Sequence, residues 1–167
     1  MNLRIPALLP ETFLPDVHGR LLIYKRLSGT SSEEEVNELK IELIDRFGLL
    51  PEPATNMLAV TRLRIAAERL GILKAEMQGN GGKLRFASTT TVDPLMLVRL
   101  AQSDPRCFSL GGADELRIRK DLPEPAQRIA FLEALLAQLG TPAARQNQVT
   151  AGKSISNRSF PTGKRHA

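Results

Sequence analysis

The sequence predicts an α+β domain. N-terminal helices, one of them acidic, precede a small, mainly antiparallel sheet with interleaved helices and a C-terminal helix. Three observations carry that reading. Apolar residues recur at helical spacing as far as Leu70. The pattern then breaks into short strand-like runs separated by glycine pairs. A last leucine stripe closes at Gly140. Helices first, followed by strands mixed with helices, indicate α+β rather than regularly alternating α/β architecture.

Residues 2–9, NLRIPALL, predict an extended opening segment, which Pro6 confines to a sheet edge or a path outside the sheet. ETFLPD follows as a turn. Its Asp16 is positioned to cap a short helix over residues 17–27, where Leu21, Tyr24 and Leu27 recur at helical spacing and Ser28-Gly29 ends the run. The second helix has the strongest signals. Ser31 and Ser32 are alternative N-caps, each with a glutamate three residues later, the capping-box pattern. Glu33, Glu34 and Glu35 fill the first turn, where the helix dipole favours negative charge. Val36, Leu39, Leu43 and Phe47 run down one face with Ile44 beside them, and Gly48 supplies a left-handed stop. Pro51 and Pro53 forbid continuation, and Pro53 suits the first turn of a third helix running through Met57, Leu58, Ile65 and Ala66 to Gly71.

Strand candidates over residues 72–78 and 83–87 flank the turn Gly79-Asn80-Gly81-Gly82. Asp93-Pro94 opens a short helix over residues 95–101. Two more strand candidates, 107–110 and 115–119, are joined by Gly111-Gly112. The last helix starts near Pro123 and carries Ile129, Leu132, Leu136 and Leu139 on one stripe, with Leu135 adjacent. Residues 1–140 read as a single α+β domain. Residues 141–167 have no periodicity and are expected to form a disordered basic tail, because so polar a segment buries too little apolar area to offset its ordering entropy.

Composition narrows the function classes. The 167 residues are 42% hydrophobic and 25% charged, as in soluble globular proteins, with 4% aromatics and no tryptophan. One cysteine excludes an internal disulfide framework and fits a reducing compartment. No run approaches the roughly 18 apolar residues of a membrane span, and the N-terminus lacks a signal-peptide layout, so a cytoplasmic location without membrane contact is expected. The net charge of +5 comes from the tail. Five of the 23 basic residues (Arg145, Lys153, Arg158, Lys164 and Arg165) lie there without an acid, leaving 18 bases against all 18 acids in residues 1–140.

Catalytic motifs do not assemble. In Asp45-Arg46-Phe47-Gly48 an arginine separates aspartate from phenylalanine, and no kinase glycine loop accompanies it. Gly79-Asn80-Gly81-Gly82-Lys83 lacks a P-loop's first glycine, where Met77 stands, and its Ser or Thr, where Leu84 stands. Cys107, His18 and His166 cannot make a clustered zinc site. Cys107 reads as a small core residue, since no histidine is positioned to activate it.

The acidic helix is more informative. At 100° per residue, Glu34, Glu35, Glu38, Glu42 and Asp45 occupy about a third of its circumference, opposite the apolar stripe. Ile41 sits at the edge of that sector, exposed for no folding reason, and few bases at i+4 neutralise the acids. Such a face suits docking onto a basic partner. The alternative is a nucleic-acid-binding module in which Arg62-Leu63-Arg64, Arg117-Ile118-Arg119-Lys120 and the tail contact phosphates, without exposed aromatics for base stacking.

LRIPALLPETFLPD, GRLLIYKRL and ELKIELIDRFGLLPEPATNML resemble, in order and spacing, successive blocks of the C-terminal domain of the bacterial transcription-repair coupling factors, the Mfd family. The resemblance covers about residues 3–140, is weaker after Leu70, and excludes the tail. It implies a longer protein that binds stalled RNA polymerase, translocates on double-stranded DNA by ATP hydrolysis, and recruits UvrA for nucleotide excision repair. ATP and magnesium would belong to the helicase-like motor. This chain has no Walker motif and is expected to be an excised or truncated domain without enzyme activity or cofactor of its own. In the family, this domain folds back on a UvrB-like module, covers the surface used by UvrA and represses the motor. The resemblance implies that clamp role for Glu42 and Asp45, then for Glu38 and Arg46, with Ile41 at the margin. Arg46 could instead pair with Glu42 at i+4. Phe47, Gly48 and Pro51 are assigned to the fold.

Overall fold

The protein is described by a computed structural model covering residues 1–142. The tail expectation concerns residues 141–167, of which 143–167 lie outside the described residues. Among the described residues, five helices and a four-stranded antiparallel sheet form the α+β fold that the sequence predicts.

Helix α1, Val17–Gly29, starts at Asp16, whose Oδ2 accepts the Gly19 N–H at 2.8 Å. Its buried residues are Ile23 and Leu27, with half-buried Tyr24 taking the Leu9 N–H on its hydroxyl oxygen at 2.9 Å. Leu21, expected on the inner stripe, is instead 59% exposed. The reason is rotational: Leu21 lies about 200° around the helix from Ile23. Helix α2, Glu33–Phe47, is capped by Ser32, whose Oγ accepts the Glu35 N–H at 3.2 Å. Glu35 reaches back to the N–H of Ser31 at 3.0 Å, one residue beyond the usual capping-box partner. Val36, Leu39 and Leu43 are fully buried, and Gly48 ends the helix at φ 89°. Helix α3, Glu52–Arg69, has its proline in the first turn and Gly71 beyond its end.

The strands are β1 (Ile72–Gln78), β2 (Gly81–Phe86), β3 (Phe108–Leu110) and β4 (Glu115–Arg119), ordered β1-β2-β4-β3. β2 begins two residues before the apolar alternation does. Gly81 and Gly82 carry no side-chain pattern, yet pair with Gln78 and Met77 on one side and with Arg119 and Ile118 on the other. A Cβ on Gly81 would collide with the Ile118 carbonyl, so close strand approach explains that glycine. Asn2 adds a single parallel bridge to the free edge of β1, donating to Ala75 O and accepting from Met77 N, as the edge-confined opening segment predicts. Helix α4, Pro94–Ser103, is capped by Asp93, and α5, Pro125–Leu139, by the reciprocal Glu124–Gln127 box. α5 starts two residues later than expected from Pro123, because Leu122 turns into the core.

Two apolar clusters result. Leu9, Leu14, Ile23, Leu27, Val36, Leu39 and Leu43 pack with Ala54, Met57, Leu58 and Ile65 of α3. The inner face of the sheet packs with Leu63 and Ala67 of α3, with Met96 and Leu100 of α4, and with Leu132, Leu135, Leu136 and Leu139 of α5. α3 is thus the wall between a helical layer and the sheet.

Candidate docking surface

The outer face of α2 follows from its inner one. With Val36, Leu39 and Leu43 turned inward, Glu34, Glu38, Ile41 and Asp45 point to solvent. Ile41 is 59% exposed. Among the described residues, Glu38 and Asp45 form no ion pair. Glu38 also borders a groove of about 760 Å³ between α1 and α2, together with half-exposed Leu22.

Glu42 differs from its neighbours. Arg26, from α1, approaches its Oε2 at 2.7 Å, and Arg46 donates to its Oε1 at 3.1 Å. Few bases stand at i+4 on this face, Arg46 at Glu42 being the pair that forms, and at Glu42 α1 adds a second base from 16 residues away, which helical spacing does not foresee. The i+4 pairing of Arg46 is present, and its guanidinium also lies 5.0 Å from the Phe47 ring centroid. Phe47 meets Phe13 edge-on at 5.8 Å, and Pro51 is the N-cap of α3, which accords with their assignment to the fold.

The hydrogen bond from Arg26, helped by that from Arg46, holds the Glu42 carboxyl below its ordinary titration range against the opposing effect of burial. Folding lowers this titration point, so the contribution is fully present above the ordinary carboxylate range and fades as pH falls through the lowered value. The Glu42 side chain is about a third exposed, so solvent screening limits the effect. Glu42→Gln is expected to lose under about 1 kcal/mol near neutral pH. Its urea-unfolding midpoint should converge with wild type in acid.

Other candidates resolve into structure. Cys107 is buried and free, its thiol pushed up by burial first and by the Asp104 carboxylate second, which suits a core residue rather than a nucleophile. His18 is exposed, and among the described residues no three His, Cys, Asp or Glu side chains could hold a metal ion. Lys83, in the phosphate-loop look-alike, sits in β2 and faces Glu76 at 3.5 Å. Arg62 and Arg64 make contacts within the fold. Arg62 donates to Asn37 at 2.6 Å, whereas Arg64 pairs with Glu68 and donates to the carbonyls of Leu27 and Thr30. Both brace α3 against the preceding elements. Of the second basic run, Arg117 and Arg119 are exposed, Ile118 is buried, and Lys120 lies 5.6 Å from the Phe131 ring. Arg26 and Leu49 were missed by sequence reasoning. Arg26 has no local signal, and Leu49, 90% exposed, is hidden inside the Gly-Leu-Leu-Pro connection.

Comparison with known proteins agrees with this architecture. The family model described as TRCF domain matches residues 3–97. The transcription-repair-coupling factor of Escherichia coli K12 is 43% identical over 139 residues, covering 83% of this chain and 12% of that protein. The Haemophilus influenzae transcription-repair-coupling factor is 39% identical over 136 residues, 81% of this chain and 12% of the relative. A crystal structure of the C-terminal domain of transcription-repair coupling factor superposes with a TM-score of 0.66 at 22% identity, covering 83% of this chain and 91% of that one. The fold is therefore that of a coupling-factor C-terminal domain. The chain belongs to the TRCF domain family. It spans about an eighth of the length of these two relatives. Among the described residues, no helix is long and apolar enough to cross a membrane.

Proposed function

We propose that this chain is a non-catalytic regulatory domain of an ATP-dependent DNA translocase acting in transcription-coupled nucleotide excision repair. Its α2 face docks on the UvrB-like module of the same protein, masks the surface used by UvrA and holds the motor repressed. Engagement of RNA polymerase and DNA by the rest of the protein favours the open state. The observation that carries this reading is the exposed Ile41 beside Glu38 and Asp45, two carboxylates that form no ion pair among the described residues. An apolar anchor beside unneutralised charge suits a basic surface, where charge supplies steering and specificity. Glu42 enters through exchange, because a partner arginine can replace Arg26 or Arg46 without leaving a carboxylate unpaired.

Calorimetric titration of the 167-residue chain against the UvrB-like module tests the proposal. The wild-type chain is expected to bind. Glu38→Lys/Asp45→Lys, which leaves the Arg26–Glu42–Arg46 cluster intact, is expected to weaken binding about tenfold or more, within the typical 1–3 kcal/mol of such coupling. Unchanged affinity in the double variant, or no binding by wild type, would sink it.

A further inference from the structure

Among the described residues, no helix lies over the outer face of the sheet. α3, α4 and α5 all pack on the inner side, through the cluster containing Met77, Leu84, Leu116 and Ile118. Strand alternation therefore turns Lys74 and Glu76 of β1, Lys83 and Arg85 of β2, and Glu115, Arg117 and Arg119 of β4 to the open side. The register sets Lys83 between Glu76 and Arg117, and Arg85 between Lys74 and Glu115. Five cations thus share the face with two carboxylates.

Those carboxylates do not neutralise it. Glu76 is shared by Lys74 at 2.9 Å and Lys83 at 3.5 Å, and Glu115 takes only the Nε–H of Arg117 at 2.8 Å. Arg85 reaches Asp114 at 3.6 Å across an exposed loop, and Arg119 donates one N–H to the Pro105 carbonyl at 3.3 Å. A groove of about 760 Å³ crosses this face, lined by Arg4, Lys83, Arg117 and Arg119 and by the carboxylates Glu76 and Glu115, with Gly81 contributing no side chain to obstruct it. The near-neutral total for residues 1–140 hides this concentration of positive charge.

The chemistry of the face selects its partner. A protein interface needs an apolar or aromatic centre. Here the outward positions of the paired strands are charged, polar or glycine, and exposed Leu73 lies off to one end, at the bulge that opens β1. Single-stranded nucleic acid is held by bases stacking on aromatic side chains, and no aromatic residue lines this groove. Cations on a rigid sheet, without stacking platforms, match the backbone of a duplex, whose phosphates carry most of the sequence-independent affinity. We propose that the open face of the sheet is a sequence-independent contact surface for the phosphate backbone of double-stranded DNA. It is separate from the α2 face, from which α3 and the sheet divide it, and does not depend on the docking proposed there.

Fluorescence anisotropy of the full 167-residue chain with a short labelled duplex of arbitrary sequence tests this, with salt varied between about 50 and 200 mM. Three variants separate the sources of charge: Arg117→Gln/Arg119→Gln on the sheet, Arg85→Gln as an independent single change, and glutamine at Arg145, Lys153, Arg158, Lys164 and Arg165 in the tail. The sheet double variant should bind about tenfold more weakly at low salt, and its log–log salt slope should be about 2 units shallower. Arg85→Gln should lose about one unit of slope, and the tail variant should keep its dependence on the sheet arginines. All these side chains are exposed or lie in the tail, so thermal midpoints are expected to stay near wild type. Sheet variants with wild-type affinity and slope would assign DNA binding to the tail and overturn the proposal. So would absence of binding at low salt. Displacement of the duplex by polyglutamate at equal charge would overturn it in favour of an acidic protein partner.

Discussion

Leu43→Ala is expected to destabilise the domain by about 2–5 kcal/mol, whereas Ile41→Ala, two positions earlier on the same helix, should change stability by no more than about 0.5 kcal/mol. Leu43 is fully buried between α1 and α3, in the cluster that also holds Val36 and Leu39. Removing its branched end takes apolar surface out of the core and leaves a cavity that the surrounding helices close only in part. Ile41 projects into solvent, so its truncation removes little packing. The pair separates the two roles of α2. Leu43→Ala should lower the urea midpoint strongly and weaken docking only through loss of fold. Ile41→Ala should leave the midpoint in place and weaken docking directly. Leu43→Met, of nearly equal volume, should cost under about 1.5 kcal/mol. A Leu43→Ala loss below about 1 kcal/mol, outside the range for a buried leucine, would contradict the packing described for α2.

Arg128→Ala is expected to cost about 3 kcal/mol or more. Arg128 is buried on α5 without a carboxylate partner; its Nη1 donates to the carbonyls of Leu122 at 2.9 Å and Pro123 at 3.0 Å. Its Nη2 donates to Arg4 O at 3.2 Å, 124 residues away, where Arg4 itself has φ 54°. Among the described residues, its Nε finds no partner. Alanine would strip these carbonyls of their charged donor and remove the packed stem as well. Arg128→Met restores the stem but not the donors, so it should recover only part of the loss. In a domain of this size the alanine variant should melt on the order of 10 °C lower. An unchanged melting temperature would mean that water replaces the guanidinium at no cost.

The helices were legible because their signals are local. Ser32, Gly48, Asp93 and Gly71 act within a few residues of where they stand, and the structure uses them at helix ends as their chemistry requires. The α2 face was legible for the same reason: 100° per residue fixes which side chains share a side once the inner stripe is known. What escaped was non-local. The pairing of Arg26 with Glu42 joins two helices, and the Arg64 contacts with Leu27 and Thr30 join α3 to the end of α1. Arg62-Leu63-Arg64 therefore looked like a phosphate-binding run and proved to be bracing. Charge balance misled in the opposite direction, since a neutral sum conceals which strand faces carry the cations. β2 began early because glycines pair without leaving an alternation to read.

The link between Arg4 and Arg128 also bears on how the chain assembles in time. α1, α2 and the first turns of α3 can meet early, since their partners lie close in sequence. The sheet cluster, by contrast, needs Leu3 from the beginning and Leu132 to Leu139 from the end. Contacts of such long separation are made late, after the entropy of closing the intervening loop has been overcome. During synthesis, α3 and α4 can cover only part of the inner sheet face, and a chain stalled before α5 packs there leaves the rest of that face, around Leu84 and Leu116, open to aggregation. Helix α5 thus sets the moment at which the apolar side of the sheet is shielded from neighbouring chains.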